Sequence, residues 1–558
     1  MALITIFKLR PQSPAYRRLQ LTRRLIGVIA MIVVASPFGV VRAGDDDRAK
    51  SRSFFYQAYS DAEIQAAVQR PLGLEDCIRI ALAKNISLRI AHGDLDRADA
   101  AHAGSYGRFL PVFSVDGVRS NNLTGERRTT AITLVPNPED STDTSDLETV
   151  GFVDRVQFDN NAAITGQAQL FLPTGGTLQF TNDFAHSTQI PLFQDPISPA
   201  DNPLDRELTP TTKDRDLSYE IRLTQPLLRE AGPTVARSSF LSTRYDQQIQ
   251  ERNLLSQKLQ TVFAVKRAYY TALLQRELIN VNLTALVKDS ALVEASKALI
   301  VARLATRRDV LSAEIRFADD RASLLASRSD YQFALDRLKY ELGLPIDMAV
   351  DLDSTGLSYT PMTLDEKMLV QQALENSPEV LVADLSIRKS RLQRQIAKNA
   401  LWPQLDLVTS YTSERSKNAI SNLDRSRTGG WRASLNLSYE FLSQEARANA
   451  EEAEISVRQQ EDRLLDVQRQ VMIDVRDIVR GVYSATAELD AIKAGIKVAE
   501  DKLEFSTTMF NLGRASNFDI TESQEFLLKA KNQYLRKLVD YHSQLAQLES
   551  LIGKPITQ

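Results

Sequence analysis

The sequence predicts a mainly α-helical protein with a β-barrel part: long antiparallel coiled-coil helices, a few transmembrane β-strands per chain, an internal duplication, and closure only when several copies assemble. Three observations carry this. The 558 residues include only 22 glycines and 20 prolines, below a combined average usage of about 12%, so turns are scarce and elements long. The segments between helical stretches alternate apolar and polar residues with period two, which marks strands with two unlike faces. Two stretches of the chain also repeat one another.

Composition removes several function classes. A hydrophobic fraction of 43% and a charged fraction of 25% exclude a disordered chain and a bundle of transmembrane helices. A net charge of −3 and a pI near 6.0 give no electrostatic footprint for nucleic acid. The one cysteine, Cys77, excludes a disulfide framework and any multi-cysteine metal site.

The amino terminus reads as a secretory signal over residues 1–43. Lys8, Arg10, Arg17, Arg18, Arg23 and Arg24 precede an apolar run from Leu25 to Val41, and Val41-Arg42-Ala43 closes it with small residues flanking a cleavage position. Residues 44–70 follow as an N-terminal periplasmic segment. The repeat comes next. Positions 301–348 and 511–558, compared without a gap at an offset of 210, share ten identities, among them Ala305/Ala515, Asp309/Asp519, Tyr331/Tyr541, Gly343/Gly553 and Pro345/Pro555. Pro71, Leu74, Ala81-Leu82 and Pro111 have counterparts in Pro361, Leu364, Ala373-Leu374 and Pro403. The predicted units are 71–345 and 361–555, joined by a linker at 346–360.

Each unit reads as helix, strands, very long helix, helix. Helical spacing from Leu74 to about Gly107 ends at Leu110-Pro111, because proline disfavours the helical conformation in the residue before it; Trp402-Pro403 marks the same event in the second unit. From Pro233 to Gly343 there is neither glycine nor proline between, and no proline lies between Pro403 and Pro555, so very long helices are expected in both stretches. One helix from Thr234 to about Arg303 spans about 100 Å at roughly 1.5 Å per residue. Leu254, Leu259, Val262, Val265, Tyr269, Leu273 and Leu278 supply its coiled-coil-like apolar spacing.

Strands are expected at about 110–228 and 404–442. Leu217, Tyr219, Ile221 and Leu223 alternate with polar residues, as do Trp431, Ala433, Leu435, Leu437, Tyr439 and Phe441. In an exported protein such strands fit a transmembrane barrel, apolar side chains to lipid and polar ones to the lumen. Asp116, Glu220, Arg222, Asp406, Arg432 and Glu440 are then the candidate lumen residues. Residues 121–160 and 185–215 read as long polar loops, and 172–176 as a tight turn. Four to six strands cannot close alone, and an open sheet edge leaves unsatisfied backbone groups in lipid. A ring of several copies is required. The alternating pair at 162–172 and 176–184 stands either as two added barrel strands or as an external hairpin.

Several motifs together resemble the TolC-like outer-membrane efflux proteins: Leu74-Glu75-Asp76 through Ala81-Leu82 and Asn85, the Leu-Pro and Trp-Pro strand starts, Leu223-Thr224-Gln225-Pro226-Leu227-Leu228, and Gly513-Arg514-Ala515-Ser516 leading to Asp519. The resemblance implies a homotrimer that is an outer-membrane exit duct of a tripartite efflux or type I secretion system. Its partners would be a periplasmic adaptor, an inner-membrane pump and outer-membrane lipid. It also implies a periplasmic tip made by the two helical turns, with Asp519, Glu522 and Asp309 at a pore constriction. Arg303, Leu304, Ala305, Thr306, Gly513, Arg514, Ala515 and Ser516 would meet the adaptor. Family members usually contribute four strands per chain. Where relatives carry a tyrosine and an arginine at the second turn, this chain has Phe510 and Ala515, neither able to make the corresponding hydrogen bonds.

Independently of any resemblance, Thr306 with Asp309 and Ser516 with Asp519 have capping-box spacing. The sequence holds no phosphate-binding glycine loop or nucleophile elbow, and its four histidines lack metal-ligand pairing, so neither an enzyme nor a cofactor is expected. A periplasmic coiled-coil spacer without a pore is the alternative reading.

Overall fold

A computed structural model describes residues 58–132, 149–194, 211–301, 306–353, 357, 359–418, 424–441, 443–512 and 514–554. The predicted leader lies outside them. After α1 (Asp61–Val68), two helices, α2 (Leu74–Lys84) and α3 (Ile86–Ser105), replace the single predicted helix. The break is chemical: Asn85 leaves the helical conformation, and its side chain accepts a hydrogen bond from the Leu88 amide, capping α3. A single 3-10 turn then leads into β1 (Val112–Ile132), β2 (Thr149–Phe171), β3 (Thr177–Gln194) and β4 (Thr212–Pro226). The short α4 (Pro233–Ala236) precedes α5 (Ser238–Val301), a helix of 64 residues and about 96 Å. α6 (Arg307–Leu342) returns along it.

The same succession follows with two strands instead of four: α7 (Glu366–Asn376), α8 (Pro378–Asn399), β5 (Gln404–Asn418), β6 (Asp424–Ser438), α9 (Gln444–Asn511) and α10 (Asn517–Ile552). α5 pairs with α6 and α9 with α10, and α10 also packs on α5. Both return helices end on a glycine in the left-handed region, Gly343 at φ 70° and Gly553 at φ 71°. At Gly343 the Leu344 amide donates to the Lys339 carbonyl, closing the helix end in a Schellman turn. A side chain at Gly343 would also meet the Lys84 carbonyl oxygen at 2.4 Å, so glycine is required there twice over.

The core lies where the short helices cross the long ones. Cys77, Ile78, Ile80 and Ala81 are buried, as are Val265, Ala272, Leu273, Leu338 and Leu342. In the second half Ala373 and Val380 pack with Val471, Val475, Val482, Leu489, Leu538, Tyr541 and Leu548. Burial pushes the Cys77 thiol up to about 12, which leaves it inert. Among the described residues no helix is long and apolar enough to cross a membrane.

All six strands form one antiparallel sheet in the order β1-β2-β3-β4-β5-β6. The alternating pair left open by the sequence belongs to this sheet, as parts of β2 and β3, between β1 and β4. The predicted loops shrink accordingly. β1 continues to Ile132 and β2 begins at Thr149, within what reads as loop; β3 likewise runs to Gln194 and β4 starts at Thr212. Successive polar residues in the sequence hide the alternation there. β6 stops at Ser438, short of the predicted 442.

Candidate functional site

Two regions of the molecule carry the predicted site residues: the helix ends at 301–307 and 511–517, and the two faces of the sheet.

Each return helix begins with a capping box. The Thr306 amide and hydroxyl donate to Asp309 Oδ2 at 2.8 and 2.7 Å, and the Ser516 amide and hydroxyl donate to Asp519 Oδ2 at 2.8 and 2.9 Å. Bonds to the charged form hold both acids below the usual carboxylate range. For Asp309 the Thr306 hydroxyl contributes most and for Asp519 the Ser516 amide. Asp519 is exposed and Asp309 half-buried. Glu522 lies three residues beyond Asp519 on α10, where Lys502 of α9 donates to its Oε2 at 2.8 Å. The carboxylates predicted at one constriction are therefore chemically unlike: two cap helices and the third is ion-paired. Arg514 and Ser516 are exposed and Ala515 is half-buried. Arg303, Leu304, Ala305 and Gly513 lie outside the described residues.

Two tip residues escaped the sequence reading. Asn517, buried, donates from Nδ2 to Ser296 Oγ of α5 at 2.5 Å and to the Asp309 carbonyl of α6 at 3.2 Å, tying one helical turn to the other. Its signal was available: at the repeat offset it stands where the first unit has Arg307. Lys502 is the other. Lys502 and Glu522 are equally distant from Leu512 at the hairpin bend, so antiparallel pairing brings them level. Phe510 packs, with Leu503 and Phe317, on a buried cluster of Leu292, Val293, Ala313 and Ile520. A phenylalanine here joins the two helix hairpins by apolar contact where a hydroxyl is absent.

The strand register sorts the other candidates by face. Directly paired residues share a face. Asp116, Thr165, Asp183, Ser218, Glu414 and Thr428 form one such row across the sheet, and Gln169, Gln179, Arg222, Ser410 and Arg432 another. Glu220 joins the same face, accepting from Arg222 Nη2 at 2.8 Å, and Asp406 pairs with Asn436 on it. The opposite face carries the row Phe113, Ala168, Phe180, Ile221, Tyr411, Trp431. Phe113 at 67% and Trp431 at 80% are exposed to an extent no water-facing core explains. This apolar face turns charged at Arg415 and Arg427, level with Leu217. From there to Pro226 is ten residues of β4, the length that spans a bilayer at about 45° tilt. Glu440 sits past the end of β6, at the joint with α9, and not within a strand.

The near end of the sheet is fixed to the helices. In the turn between β2 and β3 the Thr174 carbonyl accepts from the Gly232 amide at 3.3 Å, and Thr174 Oγ1 donates to Gln225 Oε1 at 2.8 Å. His102 lies tilted against Phe240 with ring centres 4.6 Å apart and His542 stacks at 4.5 Å on Tyr270, while His186 Nδ1 meets the Asp214 carbonyl at 3.0 Å. Burial lowers the pKa of His92 and of His102. Among the described residues no group of three or more acidic, histidine or cysteine side chains is arranged to hold a metal ion.

With this geometry in place, comparison with known proteins is specific. A family model described as outer membrane efflux protein matches residues 369–554. No curated protein matches the chain. Among solved structures, the Campylobacter jejuni CmeC outer membrane channel superposes with a TM-score of 0.58 at 12% identity, covering 86% of this chain and 85% of its own. The Vibrio cholerae outer membrane protein VceC gives 0.56 at 14% identity, over 86% and 96%. The open-state Neisseria gonorrhoeae MtrE outer membrane channel gives 0.58 at 15%, over 86% and 89%. Fold is what these likenesses share.

Proposed function

We propose, for a chain that carries an outer membrane efflux protein domain over residues 369–554 and has the fold of outer-membrane channels, that three copies close into a passive exit duct. The duct crosses the outer membrane as a β-barrel and continues into the periplasm as a helical tunnel. One observation carries the reading. A six-stranded sheet with one apolar face, one polar face and two edges, β1 and β6, unpaired among the described residues, is stable in lipid only if another copy supplies the missing partners.

The polar rows through Asp116, Glu220, Arg222, Asp406 and Arg432 line the lumen in this reading. The helix tips face the pump in this reading. Thr306, Arg514, Ala515 and Ser516, with the neighbouring turn residues 303–305 and Gly513, meet a periplasmic adaptor, because exposed caps and cations at the end of a long rod are what a coaxial partner first encounters. Asp519 and Glu522 with Asp309 set the constriction. Three copies bring their negative charge to one axis and favour cations. Transport energy comes from an inner-membrane pump in this reading, since the sequence carries no phosphate-binding glycine loop.

The test combines cross-linked mass with single-channel conductance of detergent-extracted protein, before and after Asp519→Asn with Glu522→Gln. Trimeric, cation-selective pores whose selectivity weakens in the double variant support the duct. Protein that stays soluble without detergent and conducts nothing would leave a coiled-coil spacer as the better account.

A further inference from the structure

About twelve residues in from the tip, the two helix hairpins meet around buried charge that the channel reading does not use. Asp289 on α5 is 2% exposed and Asp320 on α6 is 6% exposed. Between them lies Arg316, also on α6, with Nε 3.8 Å from Asp289 Oδ2 and 3.7 Å from Asp320 Oδ1. Its Nη1 is 3.6 Å from Glu525 Oε2 on α10. None of these separations is a good hydrogen bond. Asp289 Oδ2, Asp320 Oδ2 and Arg316 Nε are all buried without a hydrogen-bond partner, as is Gln524 Oε1 of α10. The carboxyls, the guanidinium and Gln524 line one cavity of about 190 Å³, walled by Leu503 of α9 and by Leu527 and Leu528 of α10.

Charge arithmetic makes this arrangement incomplete. Two carboxylates share one guanidinium, and Glu525, whose side chain is 65% exposed, stays with solvent and competes for the same arginine. The other charged groups at the cavity do not close the gap. Lys288 is exposed on α5, and Lys531 of α10 is held 2.9 Å from Glu500 of α9. Buried negative charge without a full complement of partners is expensive, and a carboxyl relieves it by taking a proton rather than by remaining ionised. We propose that Asp289 and Asp320 form a proton-binding site whose occupancy sets how tightly the α5–α6 hairpin holds α10 near the tip.

The direction is fixed by the causes. Burial, then the neighbouring Asp320 carboxyl, push the Asp289 carboxyl up to about 7, against the opposing pull of Arg316. A group raised in the folded state contributes packing that is complete below its unfolded value and is lost as pH rises through the folded one. The hairpins are therefore joined firmly in acid, when one proton on Asp289 leaves the pair a single negative charge, on Asp320, which Arg316 balances. Above neutrality the two carboxylates repel across α5 and α6, and the contact through Arg316 to α10 loosens. A proton is the occupant that fits, since the guanidinium at the centre repels a metal cation of like charge.

The consequence at the entrance rests on the duct reading; the proton site does not. Two measurements on the intact purified protein separate them. Infrared titration of its carboxyl groups should contain one component with a midpoint near 7, missing in Asp289→Asn and retained in an Asp319→Asn control on the exposed side of α6. A titration identical in wild type and Asp289→Asn overturns the site, whether or not the protein conducts. Spin labels at the exposed positions Leu311 on α6 and Phe518 on α10 should move apart between pH 6 and pH 8 in wild type and stay at the pH 6 separation in Asp289→Asn, which mimics the neutral acid. A separation that is constant with pH in wild type, or that changes equally in the variant, overturns the coupling. Buried Cys77 does not compete for the label. Asp289→Leu serves as a second variant: it removes the proton site and its charge together, so it should also abolish the pH response if the protein folds.

Discussion

Removing residues 133–194 excises β2 and β3 whole and leaves β1 joined to β4 through 195–211. The register makes this a clean test of whether those strands stand in the barrel wall. Val112 pairs with Gln169, Gln169 with Gln179, and Gln179 with Arg222, so β1 can take the place of β3 with Val112 opposite Arg222, Phe113 opposite Ile221 and Asp116 opposite Ser218. Every side chain keeps its face. Three copies of six strands give eighteen, and three copies of four give twelve. With strands about 4.8 Å apart and tilted by about 40°, backbone diameters are about 36 Å and about 24 Å, because barrel width grows nearly in proportion to strand number. The lumen cross-section falls to less than half. Cross-linked mass fixes the copy number and electron-microscopic end views measure the barrel. A trimeric deletion variant whose barrel is as wide as wild type would refute the reasoning, since it would place β2 and β3 outside the closed wall.

Three further outcomes are expected. Gly343→Ala forces a side chain into the left-handed region and against the Lys84 carbonyl, and should cost about 1–3 kcal/mol, or more if α2 cannot shift; denaturant unfolding of the variant measures it. Asn517→Ala leaves Ser296 and the Asp309 carbonyl without their donor, a loss of about 1–3 kcal/mol at the tip, and should raise basal conductance while leaving trimer mass unchanged. Asp309 and Asp519 have lowered folded values, so their capping contribution is present above about 3.9, the ordinary aspartate value, and is lost as pH falls through the folded one; protection of the Thr306 and Ser516 amides, taken relative to the intrinsic exchange rate at each pH, should fall only below pH 4 in wild type and be low at every pH in Asp→Ala variants.

Much of this was legible because long helices and two-faced strands announce themselves by period. The absence of glycine and proline from 234–342 marked α5 and α6, and the alternation from Leu217 to Leu223 fixed both faces of β4. The outer halves of β1 and β2 were not legible. Around Arg127, Arg128 and Asp154 the sequence runs polar at successive positions, so the period-two signal vanishes. The break at Asn85 was missed because helical spacing continues across it and only the side-chain cap reveals the stop. At the tip, both capping boxes stood in the sequence. The contacts that join one box to the other did not, because Asn517, Ser296 and Lys502 acquire meaning only when hairpins from opposite halves lie together.

Those joining contacts make the two halves of the tip unequal. The first return helix starts with Arg307 and Arg308 exposed to solvent; the second starts with Asn517 buried and bonded to the first. One half therefore holds the other, through Asn517 and the apolar packing of Phe510 with Leu292, Val293 and Ile520. Glu522 is neutralised by Lys502 within its own hairpin, so its charge reaches an axis only if that pair separates, whereas Asp519 keeps its charge and its exposed position whichever way the hairpins move. Asp519 should then dominate ion selectivity in a closed tip and Glu522 should add to it only in an open one. Asp519→Asn and Glu522→Gln measured singly, in wild type and in the Asn517→Ala background, decide this. Equal losses of selectivity from both substitutions in both backgrounds would mean that the Lys502 pair does not control the constriction.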